Sequence, residues 1–359
     1  MTSASGYSVP LMRSRRQHGI EELLRLRDAG LGMEEFRDAA LRCLRSFITI
    51  DAAFFATVDA ETMVMTSAWT EAPLAAAARL FLDNEYDGRD VNKFTDLADA
   101  IDPVSSLDQA TSHAREESAR YRDLMAPMGL GDEARAVLRS HGQCWGVICV
   151  HREDGEGGFS IDDLEVFRQV APILGEGLRR GLAITSLRRD GAPGPGPGVL
   201  ILDTQLQLVS SNAQAERWLR ELQTIESRPS ELPIAVLSAA AAAVDVGNHE
   251  PPPRTRVRRT DGGFMTVHAS ALRGTKEIVV VLDDAAPDEV TSLLLAAHGL
   301  TPAQHRVAAL VLRGRSTQQI ANELRISTYT VQEHLSAVFG KFGIGSRREL
   351  VAAVGSSRH

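Results

Sequence analysis

Cys144, Cys149 and His151 are of the types that bind soft metals or carry redox chemistry, and they fall in one apolar run. That run, Gln143 to His151, reads as a β-strand, in which successive side chains face opposite ways. On strict alternation Cys149 and His151 share a face and Cys144 points away. Two ligands are too few for a zinc site, so no metal is expected and the cysteines read as buried structural residues. Lysine usage excludes another chemistry. Lys93, Lys276 and Lys341 are the only lysines, and none stands in a G-x-x-x-x-G-K-[S/T] frame, so a phosphate-cradling P-loop is absent. Asp203 ends an apolar run, as a phosphoacceptor would, but no acidic pair precedes it at the needed distance. His113, His141, His249 and His268 stand alone, and His268 reads as a structural mid-strand residue. No clustered acids or activated nucleophile emerge, so no catalytic residues and no enzyme activity are expected.

The elements that position these residues divide the chain. At 359 residues it is long enough for two or three domains, and 43% hydrophobic residues suffice for a core in each. Arg188 to Gly198 alternates Gly and Pro and can hold neither helix nor strand, so it is a linker. Asp283 to Pro287 is a shorter break, and Pro251 to Pro253 reads as a surface loop. The expected division is 1–187, a linker at 188–198, 199–285, a connecting helix at 286–297, and 298–359. The longest uncharged apolar run, Leu232 to Val244, is too short to span a bilayer. With no basic, then apolar, N-terminal signal and three cysteines, a cytoplasmic chain that does not engage membranes is expected.

Charge is unevenly shared. From His298 onward eight basic residues face three acidic ones, a net of +5, which leaves −13 before it out of a total of −8. A small basic tail on an acidic body is the electrostatic footprint of a nucleic-acid-binding module. Within the tail, Thr301 caps a helix with Pro302 at its first position, and Val307, Leu310 and Val311 follow at helical spacing. Ser316 caps a second helix carrying Ile320, Ala321 and Leu324. After the turn Arg325 to Ser327 a third carries Val331, Leu335, Val338 and Phe342, and Ser346 opens a fourth with Leu350, Val351 and Val354. Two short helices joined by a tight turn are a helix-turn-helix.

Leu300-Thr301-Pro302, Gly314-x-Ser316, Ile320-Ala321, Leu324-x-Ile326-Ser327, Thr330-Val331-x-x-His334-Leu335, Lys341-x-Gly343-Ile344 and Arg347 together resemble the LuxR/FixJ-type DNA-binding domain over about 55 residues without a gap. The resemblance implies that the third helix enters the major groove of double-stranded DNA. Gln332, Glu333 and Ser336 would then meet base edges, with Glu333 either reading a base or, as a solvated repulsive face, sharpening specificity by exclusion, while Ser327, Thr330, His334, Lys341 and Arg347 would hold phosphates. Two positions depart from the family: an acidic residue is usual near Gln304 and a basic one near Gln332. Those departures imply altered bracing of the first helix and a different operator. Leu350, Val351 and Val354 are expected to leave an apolar stripe that pairs two copies in a homodimer.

The N-terminal segment resembles a GAF domain. It has a helix at Glu34 to Phe47, strands at Ala53 to Val58, Arg135 to Leu138 and Gln143 to His151, and a closing helix at Ile161 to Leu182. Asn92-Lys93-Phe94-x-Asp96 is similar to that family's cyclic-nucleotide signature but compressed, and is read as unrelated. The middle segment resembles a PAS domain, with Gly198 to Asp203, Leu206 to Val209 and Asn212-Ala213-x-Ala215 at its start, and strand runs Arg254 to Arg259, Gly263 to Leu272 and Glu277 to Leu282 at its end. No flavin-attaching Cys or haem His is seen in it, and a small-molecule effector in either sensor is possible.

The expected fold is multidomain, with α+β GAF-like and PAS-like sensors before an all-α four-helix helix-turn-helix domain. The expected function is a dimeric transcriptional regulator. The competing readings are a GAF-like enzyme or redox protein with an accessory DNA-binding tail, and a regulator with ligand-free sensors under a protein partner.

Overall fold

A computed structural model describes residues 8–71, 74–86, 89–186, 194–225, 232–245 and 253–355. Most of the Gly/Pro linker, Pro251, Pro252 and His249 lie outside these.

The first unit opens with α1 (Ser8–Asp28) and α2 (Met33–Arg45), then β1 (Ala52–Val58), β2 (Met65–Thr70), α3 (Ala78–Tyr86), α4 (Phe94–Asp99), β3 (Val104–Ser106), α5 (Leu107–Ala110), β4 (Leu130–Ser140), β5 (Gln143–Glu153) and the long α6 (Ile161–Ser186). The second comprises β6 (Gly198–Leu202), β7 (Leu208–Ser211), α7 (Ala213–Ile225), α8 (Ile234–Asp245), β8 (Arg254–Arg258), β9 (Phe264–Ala271) and β10 (Ile278–Asp284). Then come α9 (Pro287–Ala297), α10 (Pro302–Leu312), α11 (Thr317–Leu324), α12 (Thr328–Phe342) and α13 (Arg347–Gly355). Each sheet has five antiparallel strands. Their orders are β2-β1-β5-β4-β3 and β7-β6-β10-β9-β8, the same topology twice.

The two sheets share one apolar core through α8. The Leu232 to Val244 run folds as this Ala-rich helix, whose small side chains let it lie between β2 and α3 on one side and β9 and β10 on the other. On the opposite face of the first sheet, α2 and α6 bury Phe36, Leu44, Phe167, Leu174 and Leu178. Helix α9 bridges two cores: Val290, Leu293, Leu294 and Ala297 pack with α6, while Leu295 belongs to the C-terminal helices. No helix among the described residues is long and apolar enough to cross a membrane.

Glycine sets how closely α6 lies. A Cβ at Gly181 would meet the Met33 backbone at 2.7 Å. Gly181→Ala gains helix propensity of about 1 kcal/mol but must push two helices apart, an overpacking cost of about 1–3 kcal/mol. The variant is therefore expected to melt below the parent, and an unchanged melting temperature would show that α2 yields freely.

Candidate functional sites: an exposed helix face and a buried ionic cluster

The C-terminal helices are built on side-chain caps. Thr301 and Gln304 form a reciprocal capping box on α10, as Ser316 and Gln319 do on α11, and Ser327 accepts from the Thr330 amide at the start of α12. Between α11 and α12 Arg325 takes a left-handed conformation (φ 56°) that turns the chain sharply. Val331, Leu335, Val338 and Phe342 are buried, which leaves Gln332, Glu333 and Ser336 on the exposed face of α12. Tyr329, 71% exposed one turn before Glu333, extends that face and was missed in the sequence. It could have been found from its i, i+4 relation to Glu333.

The residues expected at phosphates are placed differently from one another. Ser327 and Thr330 share a hydroxyl contact of 2.9 Å at the start of α12, and His334 is half-buried. Lys341 Nζ donates to Gly299 O at 2.6 Å and Gln304 Oε1 at 2.8 Å, and Arg347 Nη1 donates to Arg315 O at 2.5 Å. These two cations thus brace the helices to one another. Gln304, where an acid is usual in the resembling family, braces α10 through its amide oxygen, which accepts from Lys341 and from the Thr301 amide. One expectation is corrected here: Leu350 and Val354 are buried against the domain's own helices and Val351 is 43% exposed, so α13 presents no continuous apolar stripe. Its inward residues are consumed by packing on α10 and α9.

The corner between α9 and α10 is held from both sides. Arg179 on α6 donates to Ala297 O, and Lys341 on α12 donates to Gly299 O. Between them the His298 ring stacks on Phe342, with centroids 3.7 Å apart and planes 16° from parallel. Burial holds the His298 imidazole down to about 4, from an ordinary 6.5. Since its folded value lies below its unfolded one, its contribution is present above pH 6.5 and lost as pH falls toward 4, by about 1.4 kcal/mol per pH unit. Melting temperatures should therefore fall less steeply over that window in His298→Phe, which keeps a stacked ring but cannot titrate; identical slopes would contradict this.

The first unit's sheet holds a buried ionic cluster on the face toward α3 and α4. Glu133 Oε2 accepts from Arg120 Nε at 2.8 Å, and Glu133 Oε1 lies 3.1 Å from Arg135 Nε. Arg135 Nη1 donates to Glu85 Oε2 at 2.8 Å and to Asn92 O at 3.0 Å, and its guanidinium lies 4.4 Å from the Phe94 ring centre. Asn92 and Phe94, from the compressed motif, therefore support Arg135. Burial alone would raise the Glu133 carboxyl, but Arg120 and Arg135 outweigh it and hold it down to about 2.

Two expectations about the cysteines change. A register shift between Leu138 and Arg139 skips Trp145, pairing Leu138 with Gly146 and Arg139 with Cys144. That bulge turns Cys144 into the same core as Val147 and Cys149. The neighbouring strand also supplies a third potential ligand, because Glu133 on β4 sits opposite His151 on β5. His113 and His141 lie near Asp108 and Glu176 at 3.5 and 3.8 Å, and His268 is exposed on β9 rather than structural.

Comparison with known proteins agrees with this architecture. Residues 298–354 match the family described as "Bacterial regulatory proteins, luxR family", and residues 35–178 match the GAF domain family. A 52-residue segment is 46% identical to "Putative HTH-type transcriptional regulator Mb0914c" of Mycobacterium bovis and equally to MT0914 of Mycobacterium tuberculosis; it is 14% of this chain and 6% of either relative. Among solved structures, the A. aeolicus nlh2 GAF domain in an inactive state is similar over 47% of this chain and 98% of its own, at 16% identity and TM-score 0.30. Vibrio cholerae VqmA is similar over 45% and 82%, at 19% identity and TM-score 0.18. By the two family matches the chain carries a GAF domain over residues 35–178 and a luxR-family regulatory domain over residues 298–354.

Proposed function

We propose that this chain is a cytoplasmic, non-enzymatic transcriptional regulator that binds double-stranded DNA as a homodimer through α12. The observation that carries this reading is the exposed polar face of α12, set on a helix-turn-helix whose other face is fully buried. In the major groove the Gln332 amide can bond an adenine edge, Glu333 can accept from a cytosine amino group, and Ser336 can pair with several bases. Ser327, Thr330 and His334 lie near enough to the leading end of α12 to meet phosphates, whereas Lys341 and Arg347 already hold internal carbonyls and have only their remaining N–H groups for a phosphate. Retardation of a genomic-fragment pool by the full chain tests this. The preference should vanish when Gln332, Glu333 and Ser336 are all replaced by alanine; an unchanged fragment preference would rule out α12 as the reader.

The divisions 1–187, 188–198, 199–285, 286–297 and 298–359 remain our reading of the domains, with 199–285 PAS-like, supported by a sheet order that repeats that of the first unit. Signals would pass from the sensors through α6 and α9, because Arg179 and Lys341 grip opposite sides of the α9–α10 corner. One small cavity, between the first sheet, α3 and α8, is about 20 Å³, room for a water-sized molecule. That pocket has no room for a metabolite-sized effector, whereas a more open cleft of about 600 Å³, lined by Arg16, Arg45, Arg152 and Asp163, does.

A further inference from the structure

Glu133, Cys149 and His151 come together on one face of the first sheet, their ligand atoms all within 4.8 Å of one another. The three residues are 1%, 1% and 2% exposed. Neither ring nitrogen of His151 has a hydrogen-bond partner among the described residues, and Glu133 Oε1, 3.8 Å from His151 Nε2, has only its ion pair with Arg135 Nε at 3.1 Å. A polar group buried this way forfeits about 1–3 kcal/mol. The small cavity is lined by all three residues, and the rest of its wall is mostly apolar, including Phe54, Leu74, Phe81 and Leu124.

We propose that Glu133, Cys149 and His151 form a buried site for one divalent transition-metal ion of the zinc or ferrous class, with its fourth position open to the cavity. A thiolate, an imidazole and a carboxylate are the mixed donor set that such ions take, whereas calcium and magnesium take oxygen alone. Three protein ligands with one open position is the arrangement of metal centres that bind an exogenous molecule. The cavity limits that molecule to about the size of water.

Arg120 and Arg135 beside the site would by themselves repel a cation. Their charge is already exceeded, because Glu85, Asp90 and Glu133 set three carboxylates against the two guanidiniums. The Cys149 thiol and the His151 imidazole are counted in their ordinary neutral forms. The cluster therefore carries one net negative charge. A divalent ion that displaces the Cys149 proton to solvent brings it to zero, and an electrically neutral cluster is the least costly to bury. The proposal deepens the sensor reading of this unit by naming its ligand, and it does not depend on DNA binding.

Anaerobic titration of the full-length chain with Co²⁺, a spectroscopic probe for such sites, decides it. One equivalent should bind, with a thiolate-to-cobalt charge-transfer band in the near ultraviolet. Cys149→Ser should abolish the band, and His151→Gln should weaken uptake by at least about tenfold. Glu133→Gln, which keeps an oxygen for Arg120, should weaken uptake likewise. Cys144→Ser should change nothing, and far-ultraviolet circular dichroism of each variant should match the parent. Absence of uptake by the folded parent, or a band that survives Cys149→Ser, would overturn the site. The titration uses the chain without DNA, so its failure leaves the DNA-binding reading intact.

Discussion

Asp59→Ala is expected to cost the folded chain about 3 kcal/mol, the lower end of the range for breaking a buried ion pair. Asp59 closes β1 and is 2% exposed; Arg256 on β8 is 8% exposed. The pair is bidentate, with Nε at 2.7 Å from Oδ2 and Nη2 at 2.6 Å from Oδ1, and the Arg256 amide donates to the same carboxylate at 2.9 Å. Arg256 Nη1 also donates to Glu289 O on α9, so one guanidinium ties the first sheet, the second sheet and the connecting helix. Removing the carboxylate strands a buried cation. Glu61, 3.1 Å away but half exposed, relieves only part of that cost, which is why the lower end applies. Urea denaturation should show the loss as an earlier midpoint. Arg256→Met together with Asp59→Leu should recover much of it, because no charge is then left buried. A single-variant midpoint equal to the parent's would mean that the units do not depend on this tie.

The second large effect is expected on DNA. Gln332→Ala should weaken binding to the preferred operator by about 1–3 kcal/mol, or roughly fivefold to 150-fold, with little change on unrelated DNA. A bidentate amide contact discriminates bases, and its loss is felt only where the matching base is present. Glu333→Ala should act in the opposite sense. It removes a negative charge from a groove lined by phosphates, so affinity for mismatched sites should hold or rise while base preference broadens. Fluorescence anisotropy on matched and single-mismatch duplexes measures both. Equal losses on every sequence for Gln332→Ala would place that residue on the backbone rather than on a base.

The C-terminal helices were legible because their signals are local. Thr301, Ser316 and Ser327 each cap a helix within four residues, and Gly314 and Gly343 stop two of them. The strands that ended up buried on both sides, β1 and β5, were legible as apolar runs, whereas β2 was not, because Met65–Thr70 mixes polar and apolar residues. What stayed hidden depends on register between distant segments. The pairing of Glu133 with His151 joins two strands across a turn, and the skipped Trp145 moves Cys144 by half a strand period. No pattern in the sequence marks either event. The destination of the Leu232 to Val244 run was hidden for a related reason: its apolarity says that it is buried, but not that two sheets share it. Likewise the α13 residues read as an exposed stripe until α9 and α10 were seen to cover Leu350 and Val354.

In the function proposed above, an acidic body carrying a GAF domain delivers a basic helix-turn-helix to specific DNA. Selection of genomic fragments by the full-length chain at two salt concentrations tests it most directly. Enriched fragments should carry two half-sites about one helical turn apart, or a multiple of it. Affinity should drop steeply with salt, with a logarithmic slope of roughly −0.9 per phosphate contacted. Failure to enrich any sequence even at the lower salt, with the protein folded, would contradict it.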